Sequence, residues 1–243
     1  MAAAGREALE CMRALAETGG SVVAEALKCA EGFYEWEHYP AGDVYDPASH
    51  AQFYYHAHPP AERGGEHGHF HTFLRPRGMP AGTRPMMLPE LAIPDAPAQP
   101  QGPVRPPAPQ PCQGEDNEKL SHLIAISMSP RGMPIRLFTT NRWVTGETWY
   151  RAEDVVRMLE RFVVNVPRPS PALNRWVGAM FVLFRPQMAA LLAARDAAIM
   201  QWRRRHRGKI HVLEDRRLEV TSALAIDIED QLRRVESALK RVA

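Results

Sequence analysis

Cysteine is scarce in this sequence, and the few cysteines present are widely spaced. The 243 residues include Cys11, Cys29 and Cys112, and no two of them form a C-x-x-C pair. An odd number of separated cysteines does not build a disulfide framework, so we expect free thiols and a reducing cytoplasm.

Long apolar runs and a strong net charge are missing as well. No window approaches the roughly 20 consecutive apolar residues of a membrane-spanning helix. Near the start, Arg6, Glu7 and Glu10 fall where a secretory signal needs an uninterrupted apolar stretch. The formal net charge is only +2, which gives no overall field to attract nucleic acid or a membrane surface. We therefore expect no membrane partner and do not expect nucleic-acid binding.

Histidine, in contrast, is concentrated. Five of the ten histidines lie in FYYHAHPPAERGGEHGHFHTFL, residues 53–74. Residues alternate with a period of two over 51–58 and again over 67–74, which predicts two strands joined as an antiparallel hairpin. The segments LSHLIAIS and IRLFTT, residues 120–127 and 135–140, predict a second hairpin.

The pairing register decides whether these histidines meet. Side chains alternate across a strand, and directly opposed residues of an antiparallel pair share a face. The register that brings every histidine of the stretch to one face makes three pairs: His58 with His67, His56 with His69, and Tyr54 with His71. The apolar side chains then form the opposite face: Phe53, Tyr55, Ala57, Phe70 and Leu74. A slip of one residue would split the two histidine rows between the faces.

Imidazoles arranged in this way are typical of a metal site. Residues two apart on a strand lie roughly 6.5–7 Å apart at Cβ, close enough to converge on one ion. Neutral imidazole suits several divalent transition metals, and we expect zinc or iron first, with copper as a further candidate. The second hairpin is expected to add one more ligand. The candidate ligands are six histidines: His56, His58, His67, His69, His71 and His122.

Polar residues near the hairpin are candidate catalytic groups. The loop EWEHYPAGDVYDP, residues 35–47, is predicted to fold across the histidine face, and its acids Glu37 and Asp46 are candidate general bases acting on metal-bound water. Tyr54 has the parity of the histidine face and is the candidate proton donor. Glu66 shares this face only if the second strand begins after it. Any of these loop residues could instead be a metal ligand or a partner that orients an imidazole, and the same three roles are open to Glu35, His38 and Asp43.

Three functions are compatible with the sequence. The first is a metal-dependent enzyme, a hydrolase, hydratase or oxygenase, whose open coordination position activates water or dioxygen for a small-molecule substrate. The second is a non-catalytic metal-binding protein for storage, delivery or sensing. The third is a phosphate- or partner-binding module that uses the basic run Arg203–Arg207. A histidine face that is simply solvated, or a pH-sensing surface, is the alternative to a metal site.

The whole pattern is typical of an α+β fold. We expect a small antiparallel sheet of two hairpins plus a later strand over 218–228, packed with N-terminal and C-terminal helices. Helices are predicted over six segments: 5–18, 21–34, 153–166, 171–184, 186–208 and 228–242. The prediction is one domain, 1–243, with the proline-rich segment 76–118 as a disordered loop within it.

Four stretches together resemble an uncharacterised bacterial domain family: FYEWEHYPAGDVYD, EHGHFHTFL with its E-H-G-H-F-H motif, HLIAIS and LFTTNRWVTGETWY. The likeness extends over most of the chain apart from the proline-rich segment. It implies a bacterial, whole-chain domain. It implies no activity, cofactor or catalytic residue.

Overall fold

A six-stranded antiparallel sheet forms the centre of the structure. This computed structural model describes residues 1–59, 64–86, 119–206 and 210–242. The strands pair in chain order, so each one lies beside its neighbours in sequence. Their bounds are β1 Tyr39–Tyr45, β2 Ala51–His56, β3 Gly68–Leu74, β4 Ser121–Met128, β5 Pro134–Thr140 and β6 Val220–Ala225. The predicted α+β fold, with two hairpins and a later strand, is confirmed.

The register of the β2–β3 hairpin is the predicted one. Tyr54 pairs with His71, and His56 pairs with His69. Opposed residues share a face, so these four side chains lie on the same side of the sheet. Apolar side chains of the same two strands join the main hydrophobic core on the other side: Phe53, Tyr55, Phe70 and Leu74.

Both faces of the central strands are shielded from solvent. Every residue of β2, β3 and β4 is buried. An antiparallel sheet with one solvated face would instead alternate buried and exposed residues. The alternatives of a solvated histidine face and of an exposed pH-sensing surface are therefore wrong.

An edge strand, β1, lies in the segment 35–47 that the sequence predicts to be a loop. Pro40 fits there because an edge strand has backbone positions that need no N–H donor. Pairing with β2 holds at Tyr39 and again from Val44, and the residues between them form a bulge. Asp43 in that bulge has a φ of 59°. Pro40, Gly42 and Asp43, which are typical of turns, therefore belong to a bulged strand.

Seven helices pack around the sheet in the part of the chain that the structure describes. Their bounds are α1 Ala2–Glu17, α2 Val22–Leu27, α3 Arg142–Thr145, α4 Ala152–Leu159, α5 Pro171–Leu183, α6 Arg185–Arg205 and α7 Ile228–Val242. Ser21 caps α2 by accepting a 3.1 Å hydrogen bond from the Ala24 N–H. The core between these helices and the sheet includes Trp176, whose ring lies 5.7 Å from that of Phe70.

Two helices end earlier than predicted. The helix α2 ends at Leu27 instead of continuing to Tyr34, which is exposed. The helix α4 ends at Leu159, yet the apolar residues beyond it are still used, because Phe162 stacks on Phe181 with ring centroids 4.0 Å apart. Apolar spacing therefore predicts the burial of Phe162, but Val163 beside it is exposed because the chain is no longer helical there.

The helices α5 and α6 form a bent pair. Ser170 caps α5, and Pro171 takes its first position. The chain bends by 72° between the two helices. None of the described helices is by itself long and apolar enough to cross a membrane, and this pair meets the criterion only jointly, by length and composition.

The basic run forms the last turn of α6. Arg203, Arg204 and Arg205 lie at the carboxyl end of this helix, where cations complement the helix dipole. Arg207 lies outside the described residues. The position of these arginines is explained by the helix itself, so it does not add support to a phosphate-binding module.

Most of the proline-rich segment lies outside the described residues, which stop at Met86 and resume at Lys119. Its described start contains a 3-10 turn at Pro76–Gly78. The Met86 N–H donates a 2.7 Å hydrogen bond to the Trp149 carbonyl. The predicted disordered loop over 76–118 is therefore wrong for its first residues, which are hydrogen-bonded to the rest of the fold.

Candidate metal centre

Three buried imidazoles converge at one end of the β2–β3 hairpin. His56 is the last residue of β2, His58 lies two residues beyond it, and His69 is the second residue of β3. One ring nitrogen from each lies within 4.8 Å of the other two. The closest pair, Nε2 of His56 and Nε2 of His69, is 2.7 Å apart. His56, His58 and His69 are 1%, 7% and 1% exposed, respectively. Three shielded nitrogen donors at these separations can hold a metal ion.

Gly68 lets the two strands approach this closely. A Cβ atom at Gly68 would lie 2.4 Å from the His56 carbonyl oxygen and 2.5 Å from the Tyr55 hydroxyl. A larger residue would therefore push the start of β3 away from the end of β2. This glycine helps to set the separation between His56 and His69.

A carboxylate fixes the orientation of His69. Glu66 Oε1 lies 2.6 Å from His69 Nδ1, and Glu66 Oε2 accepts a 2.7 Å hydrogen bond from Arg136. Arg136 also donates from Nε to the Ser127 hydroxyl at 3.2 Å. A carboxylate at Nδ1 keeps a proton on that nitrogen and leaves the Nε2 lone pair for a metal. Glu66 precedes the first residue of β3, which is the condition under which the sequence predicts it to share this face.

Two more histidines extend the cluster along β3 and β4. His71 Nε2 lies 3.0 Å from His69 Nε2, and His71 Nδ1 lies 2.9 Å from His122 Nε2. Burial and the neighbouring imidazoles hold the pKa of His71 well below its usual range. Burial also lowers the pKa of His122 to about 3. Both rings are therefore neutral near pH 7, which is the form of imidazole that binds metals.

Aromatic rings line the cluster. The Trp36 ring lies 4.0 Å from that of His58, and the Phe138 ring lies 5.1 Å from that of His69, centroid to centroid. Trp36 has a φ of 72°, and its N–H donates to the Ala57 carbonyl at 2.9 Å. A bulky residue holds such a backbone conformation only where the surrounding structure enforces it, and such positions cluster at functional sites.

A further histidine, just before β1, reaches the cluster through Tyr54. His38 stacks on Tyr54 with ring centroids 3.5 Å apart and planes 11° apart. The His38 ring also lies 6.1 Å from the His56 ring. His38 Nδ1 lies 3.0 Å from Asp43 Oδ1, and Asp43 Oδ2 accepts a 2.5 Å hydrogen bond from Gln52. The bulge in β1 therefore serves to place an acid behind this imidazole.

The structure separates the three predicted catalytic residues. Tyr54 lies among the histidines. Glu37 is exposed to solvent. The Asp46 carboxylate accepts backbone N–H groups from three residues: Ala48, Ser49 and Asn165. Burial raises the pKa of Asp46, but these hydrogen bonds outweigh it and bring the pKa below its usual value. The segment 35–47 does reach the histidines, but through Trp36 and His38 rather than through Glu37 or Asp46.

The structure also corrects the placement of His67. Strand β3 begins one residue after it, so the predicted His58–His67 pair does not form. His67 Nδ1 lies 2.5 Å from the Tyr55 hydroxyl. Tyr55 belongs to the face that packs on the main core, so His67 lies on the opposite side of the sheet from His69.

Two charged residues of the site were not found by sequence reasoning. Arg136 shares its parity with Phe138 in the strand IRLFTT, and that alternation is the signal by which it could have been assigned to this face. Glu147 lies in the loop after α3 and carries no comparable signal. Its Oε2 accepts the His122 N–H, and its Oε1 has no hydrogen-bond partner among the described residues. Burial raises the pKa of Glu147 to about 8, although the nearby Arg195 opposes the shift.

Comparison with known families assigns the chain to one of them. The family described as "Domain of unknown function (DUF6969)" matches residues 2–226. The chain belongs to this family. The match extends over nearly the whole chain and confirms the predicted likeness to an uncharacterised domain family. No curated protein and no solved structure matches the chain at a significant level. Family membership brings no activity with it, so function is argued from the site.

Proposed function

We propose that this chain binds one divalent transition metal ion through His56, His58 and His69, and that the ion is the centre of an enzyme acting on a small molecule. The observation that carries the proposal is the convergence of three buried ring nitrogens within 4.8 Å of one another. Polar groups are costly to bury unless each lone pair meets a partner, and a cation between the rings would satisfy several at once.

The ligand set favours zinc. The three-histidine group contains no carboxylate, because Glu66 is engaged by His69 Nδ1 and by Arg136. Three neutral imidazoles with a fourth position left for water are typical of catalytic zinc. Iron and copper also accept imidazole ligands and are the alternatives.

Enzymatic use of the ion is supported by what surrounds it. Three ligands leave a coordination position at which zinc can activate water, or iron can activate dioxygen. Tyr54 and His38 stand beside the ligands with groups able to form hydrogen bonds to a bound molecule. Hydrolysis, hydration and oxygenation are the reaction classes that such a centre supports.

A second candidate function is non-catalytic metal binding. His71 Nε2 lies only 3.0 Å from His69 Nε2, so a fourth imidazole stands beside the three-histidine group. Four imidazoles would complete a tetrahedral zinc site and leave no position for a substrate. Such a closed site would suit storage, delivery or sensing.

Elemental analysis of the purified protein, expressed without a histidine tag, tests metal binding. We expect one equivalent of metal, either as purified or after incubation with zinc, iron or copper. The variant His69→Ala should bind none. The matched control is His67→Ala, which removes an imidazole from the opposite side of the sheet and should retain the metal. Wild-type protein that binds none of the three ions, or a His67→Ala variant that loses the metal while His69→Ala keeps it, would contradict the proposal.

X-ray absorption of the zinc-loaded protein separates the two candidate functions. An enzyme centre should show three nitrogen ligands and one oxygen ligand at zinc, and His71→Ala should leave the spectrum unchanged. Four nitrogen ligands, one of them lost in His71→Ala, would support the non-catalytic site instead.

A further inference from the structure

We propose that His38 and Asp43 form the subsite that binds the hydrogen-bond donor of a metal-coordinating ligand, and this inference rests on the proposed metal site. The ligand class is a small molecule that coordinates through oxygen and carries an N–H or O–H group beside that oxygen. The structure supports it in three steps: the tautomer of His38, its position, and the way that it is held.

The hydrogen-bond chain behind His38 fixes its tautomer. Arg75 Nε donates a 2.8 Å hydrogen bond to Gln52 Oε1, and arginine can only donate. Gln52 therefore presents its Nε2 to Asp43 Oδ2, which accepts at 2.5 Å. The other oxygen of Asp43 faces His38 Nδ1 at 3.0 Å and accepts its proton. An imidazole that carries its single proton on Nδ1 has its lone pair on Nε2, and in this tautomer Nε2 is an acceptor.

The His38 ring lies beside the three-histidine group. Its ring stacks on Tyr54 at 3.5 Å and lies 6.1 Å from the ring of His56. Within the described part of the chain, its Nδ1 is the ring nitrogen that forms a hydrogen bond, with Asp43. The side chain is 9% exposed, whereas that of Asp43 is 3% exposed. His38 is thus the more accessible member of a pair that borders the three-histidine group.

The way in which the pair is held points to recognition rather than to a chance contact. Asp43 adopts a φ of 59°, a conformation that non-glycine residues rarely use, and the bulge of β1 aims its carboxylate at His38. A lone pair fixed in direction discriminates among ligands. It favours a donor such as a hydroxamate N–H, and it disfavours a ligand such as azide, which brings only acceptors.

Cobalt(II)-loaded protein provides the test, because its visible spectrum reports both the metal site and any ligand that joins it. Two probes are titrated: acetohydroxamate, which carries a donor, and azide, which carries none. The variant His38→Phe keeps a ring stacked on Tyr54 but removes Nε2. We expect its affinity for acetohydroxamate to fall about tenfold, the loss of one buried hydrogen bond, while its affinity for azide does not fall.

The variant Asp43→Asn gives the sharper result. An asparagine amide donates to His38 Nδ1 and so moves the ring proton to Nε2, which becomes a donor. We expect azide to bind the cobalt-loaded Asp43→Asn variant more tightly than it binds wild type, and acetohydroxamate to bind the variant more weakly. A purely structural role for Asp43 would shift the two affinities in the same direction.

The outcomes distinguish this inference from the proposal on which it rests. Cobalt bound with a spectrum that changes in His69→Ala, but with equal effects of both variants on the two probes, would overturn the subsite and leave the metal centre intact. Wild-type protein that binds no cobalt would overturn both. Circular dichroism of each variant confirms that the fold is retained before the titrations are compared.

Discussion

The two faces of the β2–β3 hairpin are built from alternate residues of the same strands, yet they are held by different forces. On one face, Phe70 lies 4.9 Å from Tyr55 and 5.7 Å from Trp176, ring centroid to ring centroid. On the other face, His69 makes a 2.6 Å contact with Glu66 and lies 2.7 Å from a nitrogen of His56. The first face is packed by dispersion and apolar burial, and the second by directional polar contacts.

The difference separates a face that serves stability from the face to which we assign the proposed metal site. Apolar burial stabilises the fold at roughly 25 cal/mol per Å² and needs no particular partner. Buried imidazoles contribute less, because each must exchange its hydration for a hydrogen bond of limited net value. A protein that needed only a stable sheet would fill both faces with aliphatic residues. The presence of five buried histidines on one face is therefore consistent with the proposed metal site.

The largest expected effect on stability comes from a substitution on the apolar face. Phe70→Ala should lower the free energy of unfolding by about 3–5 kcal/mol, because it removes a fully buried ring and leaves a cavity. The loss should be the same with and without zinc, since Phe70 points away from the metal ligands. Urea unfolding in zinc-containing and zinc-free buffer measures it. A loss seen only with zinc present would show that the two faces are not independent.

The next largest expected effect is a pH-dependent change in the free energy of unfolding that comes from Glu147, on the polar face. The folded protein keeps the Glu147 proton up to about pH 8, whereas the unfolded chain releases it near the ordinary pKa of 4.5. The folded state therefore binds more protons between these values, so the Glu147 contribution is most favourable below pH 4.5 and is lost as pH rises towards 8. Between pH 4.5 and pH 7 this corresponds to a loss of about 3 kcal/mol.

The variant Glu147→Gln isolates this contribution, because its side chain cannot ionise. We expect the stability difference, wild type minus variant, to decrease as pH rises through this range. Urea unfolding of both proteins at several pH values gives the difference directly. A difference that does not change with pH would mean that Glu147 ionises in the folded protein as it does in the unfolded chain.

The strands that carry the site could be predicted because their signal is local. Alternation over 51–58 and 67–74 defines the two faces of each strand, and the pairing of His56 with His69 belongs to the register that brings every histidine of the stretch to one face. The same reasoning failed at His67, because alternation holds only inside a strand and β3 begins at Gly68. A residue just outside a strand need not follow the alternation of that strand, so its face cannot be assigned from parity.

The polar partners of the histidines could be predicted only in part, because Glu66 and Asp43 lie close in sequence to the histidines that they contact, whereas Arg136 comes from a distant strand. Arg136 reaches Glu66 across 70 positions of sequence. Asp43 was among several acids of one segment, and only the bulge in β1 decides that it, rather than Glu37 or Asp46, lies behind an imidazole. The sequence identifies several candidate acids, but the backbone geometry determines which of them contacts a histidine.

The smallest effect concerns the carboxylate that orients His69. Glu66→Gln should reduce zinc affinity about 10–100-fold, because an amide no longer holds the proton on His69 Nδ1 as a carboxylate does. This is about 1.4–2.8 kcal/mol of binding free energy. Competition with a chromophoric chelator measures the affinity, and the exposed Glu37→Gln is the matched control, with no change expected. Equal zinc affinity in wild type and Glu66→Gln would mean that His69 is oriented by the strand alone. The polar face would then depend on packing as much as the apolar face does.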